Sequence, residues 1–367
     1  VNATDTLASR IAALIAAQGP ISVAQYMTLA LHDAQSGYYA TRQPFGAAGD
    51  FITAPEISQM FGEMLGLWCV QVWHDQGQPK AKRLVELGPG RGTLMADALR
   101  AAKAAPEFLQ GLEVVMIEAS PSLQKLQAEK LKDSGADIRW VSHFDDSLAD
   151  RPLFLLANEF FDALPIRQYV KTERGWCERM IVAKDAQLDF ALAPTPTPHA
   201  AIPASRAGAP DGGVYEYAPS ATALAQAIAR IVAEKGGGAL LLDYGYGELS
   251  FCEGGGHGET LQAVGGHAFA DVLADPGEND LSAHVDFAAL ADAARQGGAA
   301  VYGPQDQGAF LADLGITARA QQLMKANPAA AQNLLAAVER LIGHDQMGHL
   351  FKAMAFLPAS AEKPPGF

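Results

Sequence analysis

The sequence predicts an α/β fold with a doubly wound, largely parallel sheet, and three observations carry that expectation. Short apolar runs at 84–87, 112–117, 153–157 and 239–242 have the length and composition of strands covered on both faces. Patterns with helical spacing lie between them, including Met95, Ala98 and Leu99, and then Leu123, Leu126 and Leu131. The first run passes directly into Gly88-Pro89-Gly90-Arg91-Gly92, where glycines let backbone approach a ligand and the next helix turns its unpaired amides into the same crevice. Together they predict a Rossmann-like sheet, with an N-terminal helical cap and an additional helical subdomain.

Taken in order, Leu7, Ile11, Leu14 and Ile15 form a helical stripe, and Val23 to Met27 opens a second helix before a turn at Ser36-Gly37. Residues 1–78 are expected to form the cap and to close over a cofactor. Residues 79–367 should hold the core, with strands and helices inserted at approximately 167–218 and 246–345. The polar stretch 49–56 precedes a helix through Phe61, Met64, Leu65, Trp68 and Val72. Within it, Asp50 and Thr53 either cap turns or reach the site, and Glu56 either occupies a first helical turn or does the same.

The turn after the first strand does not suit a nucleotide phosphate, because Gly92-Thr93 stands without the lysine of a phosphate-binding loop. Glu86, just before the turn, offers a carboxylate to an amine or hydroxyl and would repel a pyrophosphate. Glu118 ends the next strand roughly 30 residues later, a spacing that suits one strand-helix-strand unit and an acid for ribose hydroxyls. NAD and S-adenosylmethionine both fit the ribose acid. Glu86 favours the positively charged methionine end of the second.

Further along, 138–141 forms a third strand, and Phe144-Asp145-Asp146 provides a ring and carboxylates for adenine, or ordinary loop charges. The strand at 153–157 delivers Asn158-Glu159-Phe160-Phe161-Asp162-Ala163-Leu164-Pro165 into a cleft. Alternation from Arg167 to Val182 suggests strands that leave or extend the main sheet, and prolines make 193–210 a surface connection. A helix over 221–233 leads to the strand at 239–242 and to Asp243-Tyr244-Gly245. The glycine-rich 254–258 covers a ligand or joins outer elements. Ala283-His284-Val285-Asp286-Phe287 feeds a helix containing Leu290, 301–304 forms a late strand, and the patterns at 310–316 and 334–341 are helical additions. The run 350–356 closes the sheet as its last strand.

The 367 residues, 49% of them hydrophobic, suffice for one large core with embellishments. A net charge of -14 argues against general binding to nucleic acid or acidic membranes. Cys69, Cys177 and Cys252 are scattered, form no zinc motif and fit reducing surroundings, so no metal is expected. No apolar run reaches spanning length, and a soluble cytoplasmic protein is expected.

The motifs at 49–56, 86–93, 158–165 and 283–287 together resemble the MidA family, related to the mitochondrial complex I assembly methyltransferases, over nearly the whole chain. The resemblance implies an S-adenosylmethionine-dependent methyltransferase core and, from the mitochondrial members, methylation of protein arginine. Carried over, it makes Glu86, Gly88, Pro89, Gly90 and Gly92 the methionine-side cofactor wall and Glu118 a ribose ligand. Thr53, Pro55 and Glu56 then close the cofactor. Read from the residues themselves, Asp145 is a cofactor-binding candidate at the adenine side, and Asn158 is a further cofactor-binding candidate that orients the loop or substrate.

An arginine acceptor asks for carboxylates that hold a planar guanidinium by paired hydrogen bonds. Glu159 and Asp162, three residues apart, share a face if Phe160-Phe161 begins a helical turn, and could grip the acceptor and take its proton. They could equally cap the following helix or pair with nearby bases. His284 is a candidate proton relay oriented by Asp286, or both residues only cap and join elements. Phe160 and Phe161 line a channel or form a packed shelf. Competing readings are methylation of a small amine or hydroxyl compound and a noncatalytic assembly factor on the same fold. The expected partner is a protein carrying a target arginine, and the apolar faces of the helical additions leave a homodimer open.

Overall fold

The computed structural model describes residues 6–41, 53–184, 187–198, 201–247, 258–266 and 268–367. Expectations resting on Asp50, on Cys252 and on 254–257 therefore lie outside the described residues.

The chain opens with α1 (Leu7–Gln18), β1 (Ile21–Ser22), α2 (Val23–His32), α3 (Tyr38–Thr41), α4 (Ala54–Ile57) and α5 (Gln59–Asp75). There follow β2 (Lys82–Leu87), α6 (Thr93–Ala102), α7 (Pro106–Leu109), β3 (Leu112–Ile117), α8 (Pro121–Leu131), β4 (Asp137–Val141) and β5 (Leu153–Asn158). After β6 (Arg167–Thr172), β7 (Gly175–Lys184), β8 (Gln187–Leu192) and β9 (Val214–Tyr217), the chain re-enters the core through α9 (Pro219–Lys235) and β10 (Gly237–Tyr246). The remainder comprises β11 (Gln262–Gly265), β12 (Ala268–Ala270), β13 (Asp280–Ser282), β14 (Val285–Asp286), α10 (Phe287–Gln296) and β15 (Ala299–Asp306). Helices α11 (Gln307–Asp313), α12 (Ile316–Ala326) and α13 (Ala331–Ile342) precede the final β16 (Phe351–Pro358).

The main sheet runs β15-β16-β10-β5-β2-β3-β4, with β14 added beside β10. Strands β10, β5, β2, β3 and β4 are parallel, whereas β16 is antiparallel to both neighbours. The apolar runs are continuous because alternate residues enter different cores. Leu84, Val114, Met116, Phe154, Leu156, Leu240 and Leu242 face the side covered by α5 and α6. Val85, Leu87, Val115, Leu155, Ala157, Ala239 and Leu241 face the side covered by α9 and α10. Helix α5, which falls within 1–78, belongs to the first of these cores. Gly66 makes its packing on α6 feasible, since a Cβ there would stand 2.6 Å from the Ala98 backbone.

Chain order reverses between β2 and β5, so the crevice beyond their carboxyl ends is where such a sheet receives ligand. The strands from Arg167 onward leave the main sheet. They form a second one, β1-β7-β6-β9, with β8 on β7, and α1 and α2 cover it through Leu7, Ile11, Ile15, Tyr26 and Met27. Leu14, expected in that stripe, is exposed instead. A third sheet, β12-β11-β13, joins the core loop after β5 through the Ala283 N–H, which donates to the Asp162 carbonyl. Buried Glu63 of α5 accepts from Arg100 of α6 and Arg319 of α12, tying the helical additions to the core. Among the described residues no helix is long and apolar enough to cross a membrane, and no three His, Cys, Asp or Glu side chains gather as a metal site.

Candidate active site

Strand β2 ends in a turn whose Gly88, Gly90 and Gly92 all have positive φ, a conformation that side chains disfavour. Gly88 also makes room for Phe160, since a Cβ there would stand 2.7 Å from the ring. Gly92 caps α6 with no side-chain hydrogen bond, which leaves the first amides of that helix facing the crevice. Glu86 lies buried beneath, reached by the Met95 N–H, and its Oε2 has no partner. Burial, then the nearby Glu118 carboxylate, holds its carboxyl well above the usual range.

Glu118 is fixed at the end of β3 by the Ser120 N–H at 2.8 Å and by Gln127 Nε2 at 3.2 Å. Gln127, fully buried on α8, also donates to the Gly90 carbonyl at 2.8 Å and accepts from Trp140 Nε1 at 2.8 Å. It therefore ties the glycine turn to the acid, a role that nothing in the sequence marked. Glu56 accepts from the Thr93 hydroxyl at the start of α6, and its other oxygen stands 4.0 Å from Arg91. Thr53 is the N-cap of α4 without a side-chain hydrogen bond. Asp145 is exposed and caps the turn at Asp146 by accepting the Ser147 N–H at 2.8 Å.

The loop after β5 is pinned from three sides. The expected helical turn at Phe160-Phe161 is absent: Glu159 has φ 50, in the left-handed region, and the chain turns sharply. Asp243, at the end of β10, holds that turn. Its Oδ2 accepts the N–H groups of Phe160, Phe161 and Asp162 at 3.1, 2.9 and 3.3 Å, and its Oδ1 accepts that of Tyr244 at 2.9 Å. Four amide donors favour the charged form, while burial, then Asp162 and Glu159, push its carboxyl upward. Phe160 packs over Gly88, and Phe161 sinks into the core beneath the loop.

Asn158 Nδ2 and the Ala54 N–H both donate to Glu159 Oε1 at 3.1 Å, so Glu159 clasps α4 to the end of β5. Burial, with Asp162 adding repulsion, pushes its carboxyl up to about 7. Asp162 is buried with Oδ1 unpartnered, and burial raises it to about 6 against the pull of the nearby Tyr244 hydroxyl. The Tyr39 hydroxyl, on Asp280 at 3.0 Å, and the Tyr244 hydroxyl are the polar neighbours of Asp162.

His284 reaches this group through Tyr244. Its ring meets Tyr244 edge-on, its backbone N–H donates to the Thr260 hydroxyl, and burial lowers its basicity. Asp286 accepts the Ala289 N–H at 3.0 Å as the cap of α10, and among the described residues no hydrogen bond joins it to His284.

Two buried acceptors, Glu86 Oε2 and Asn158 Oδ1, lack partners at the edges of a crevice floored by glycines and bounded by a ribose-suited acid. That arrangement fits a ligand bearing an amine and hydroxyls, and does not fit a bare phosphate group. With β16 reversed between β10 and β15, fold and site define an S-adenosylmethionine-dependent methyltransferase. Residues 64–305 match the family described as "Putative S-adenosyl-L-methionine-dependent methyltransferase", and the chain belongs to that family.

Among its relatives, the protein arginine methyltransferase NDUFAF7, mitochondrial, of Mus musculus is 38% identical, with the match covering 94% of this chain and 82% of the relative. The Danio rerio protein of the same name is 36% identical, covering 96% of this chain and 87% of its own. A solved COG1565 superfamily member from Burkholderia thailandensis, bound to S-adenosyl-homocysteine, is 30% identical. It superposes with a TM-score of 0.87, covering 98% of this chain and 93% of that one. A native crystal structure of a COG1565 superfamily protein from the same organism gives 29% identity and a TM-score of 0.83, covering 97% of this chain and 95% of that one. The mitochondrial relatives overturn the cytoplasmic location expected from composition, because low cysteine pairing and absent spanning runs are shared by organellar proteins.

Proposed function

We propose that the chain transfers a methyl group from S-adenosylmethionine to a guanidinium nitrogen of an arginine in a protein substrate. The observation that carries this reading is the unpartnered, buried Asp162 Oδ1 at the end of a loop that begins beside the glycine turn. A buried carboxylate with spare acceptor capacity is costly unless a cationic donor completes it. Relatives named as protein arginine methyltransferases support the same acceptor.

In this reading Glu86, Gly88, Pro89, Gly90, Gly92 and Glu118 form the wall that holds the donor, with Asn158 offering Oδ1 from the opposite side. Thr53 and Glu56 secure the α4 side of the crevice and Asp145 borders its adenine end. The bound donor supplies an electrophilic methyl on a sulfonium, so transfer mainly requires alignment of an attacking lone pair. Asp162 grips the guanidinium and, poised near neutrality, accepts the proton released from the attacking nitrogen. Glu159 shapes the loop and adds negative potential, and His284 relays the proton outward past Tyr244. Donor labelled in its methyl group, incubated with candidate proteins and followed by mass localisation, tests the acceptor. Label confined to another residue type or to a small molecule would overturn it.

A further inference from the structure

Near Asp162 lies a narrow cleft, open to solvent, whose walls include Phe161, Glu216, Tyr246, His284, Asp286 and Ala289. Its acids are in different states. Glu216 is saturated, accepting from Gln168 Nε2, the Thr260 hydroxyl and the Thr260 and Leu261 N–H groups. Asp286 uses Oδ1 to cap α10, while its Oδ2 stands 3.8 Å from the Arg206 guanidinium, beyond hydrogen-bond length.

Arg206 reaches this place from a surface turn. Pro203, Ala204, Ser205, Ala207 and Gly208 around it are exposed, yet its side chain is only 11% accessible, with the guanidinium 5.4 Å from the centroid of the Tyr215 ring. An aromatic face and a carboxylate edge are the two surfaces that recognise a planar guanidinium and discriminate it from an ammonium. A loop that offers one arginine to an aromatic-and-acid corner presents what an arginine on a partner protein would present.

We propose that the Tyr215–Asp286 corner and the adjoining cleft form a second guanidinium-binding site, one that takes an arginine side chain of a protein partner in exchange for Arg206. It is distinct from Asp162 and binds without methyl transfer. Engagement there would hold an arginine-rich segment while another of its arginines reaches Asp162.

The test uses calorimetry with the capped peptide acetyl-Gly-Arg-Gly-amide and no methyl donor, in an Asp162→Asn background that silences the acceptor site. Arg206→Ala should tighten binding by about tenfold by removing the internal competitor, and Arg206→Gln should do the same. Adding Asp286→Asn should erase that gain. Asparagine caps helices as well as aspartate, so α10 keeps its start and the loss reports charge. A lysine peptide should bind several-fold more weakly. Equal affinity with and without Arg206, or a gain that survives Asp286→Asn, would overturn the proposal. Neither result touches the acceptor assignment, which labelling decides separately.

Discussion

Asp243 offers the sharpest test of how the site is built, because its four hydrogen bonds are all received from amides. Replacing it with asparagine keeps the shape but leaves one acceptor oxygen and one NH2. If the oxygen faces Phe160, Phe161 and Asp162, the NH2 confronts the Tyr244 N–H; if it faces Tyr244, the NH2 confronts three donors. The better orientation leaves one partly buried donor opposed, at about 1–3 kcal/mol, and weakens the remaining bonds by removing their charge assistance. Relief of repulsion from Asp162 and Glu159 opposes this, so Asp243→Asn should cost about 2–3 kcal/mol near neutral pH. Urea unfolding measures that term. Because Asp162 and Glu159 ride on the turn that Asp243 holds, turnover should fall about tenfold or more while S-adenosyl-homocysteine affinity changes less, a split that general destabilisation would not produce. Unaltered stability would refute the hydrogen-bond account. A loss of stability with full turnover in the folded fraction would refute the positioning role.

Other outcomes follow from the same geometry. Glu86→Gln should weaken donor binding by about 10–100-fold in calorimetry, since the side chain can no longer ionise beside the donor's cationic amine. Asp162→Asn should lower the rate about 10²–10⁴-fold, and the wild-type rate should fall as pH drops through about 6, where that carboxylate protonates; a profile flat from pH 5 to 8 would reject Asp162 as proton acceptor. Glu159 has a native carboxyl raised from 4.5 to about 7, so the folded state binds its proton more tightly than the unfolded state and this group's contribution to stability declines as pH rises between those values. The advantage of Glu159→Gln over wild type should therefore grow across that window by up to about 3 kcal/mol, reduced by the partial exposure of the residue; a pH-independent difference in urea unfolding would contradict the shift.

What was legible in the sequence is what local pattern encodes. Continuous apolar runs such as Leu153 to Ala157 announced strands buried on both faces, and Gly88, Gly90 and Gly92 announced a turn that only glycine adopts freely. Features set by distant partners were not legible. The alternating residues after Arg167 read as strands, but that β7 pairs with β1 rather than with the core depends on Ile21 meeting Ile181 far along the chain. Gln127 looks like the polar side of an amphipathic helix, and its function exists only because the Gly90 carbonyl and Glu118 come to it. Helical spacing at Glu159 and Asp162 misled for a related reason: Asp243, distant in sequence, gathers the three amides, and Glu159 lies in the left-handed region, where a helical turn cannot begin.

That substitution also explains how one short loop serves two faces of the chemistry. In a helical turn, Glu159 and Asp162 would project side by side, and both would compete for the same ligand. The sharp turn separates them. Glu159 looks back to the Ala54 amide and Asn158, on the side where the donor would lie, while Asp162 looks toward Tyr244 and the third sheet. In the proposed reading, the unpartnered Asp162 oxygen falls on the acceptor side and the occupied Glu159 on the donor side. On that same reading, an arginine entering beside Asp162 would meet a single carboxylate with capacity to spare, which holds the nitrogen that faces the methyl group and takes its proton.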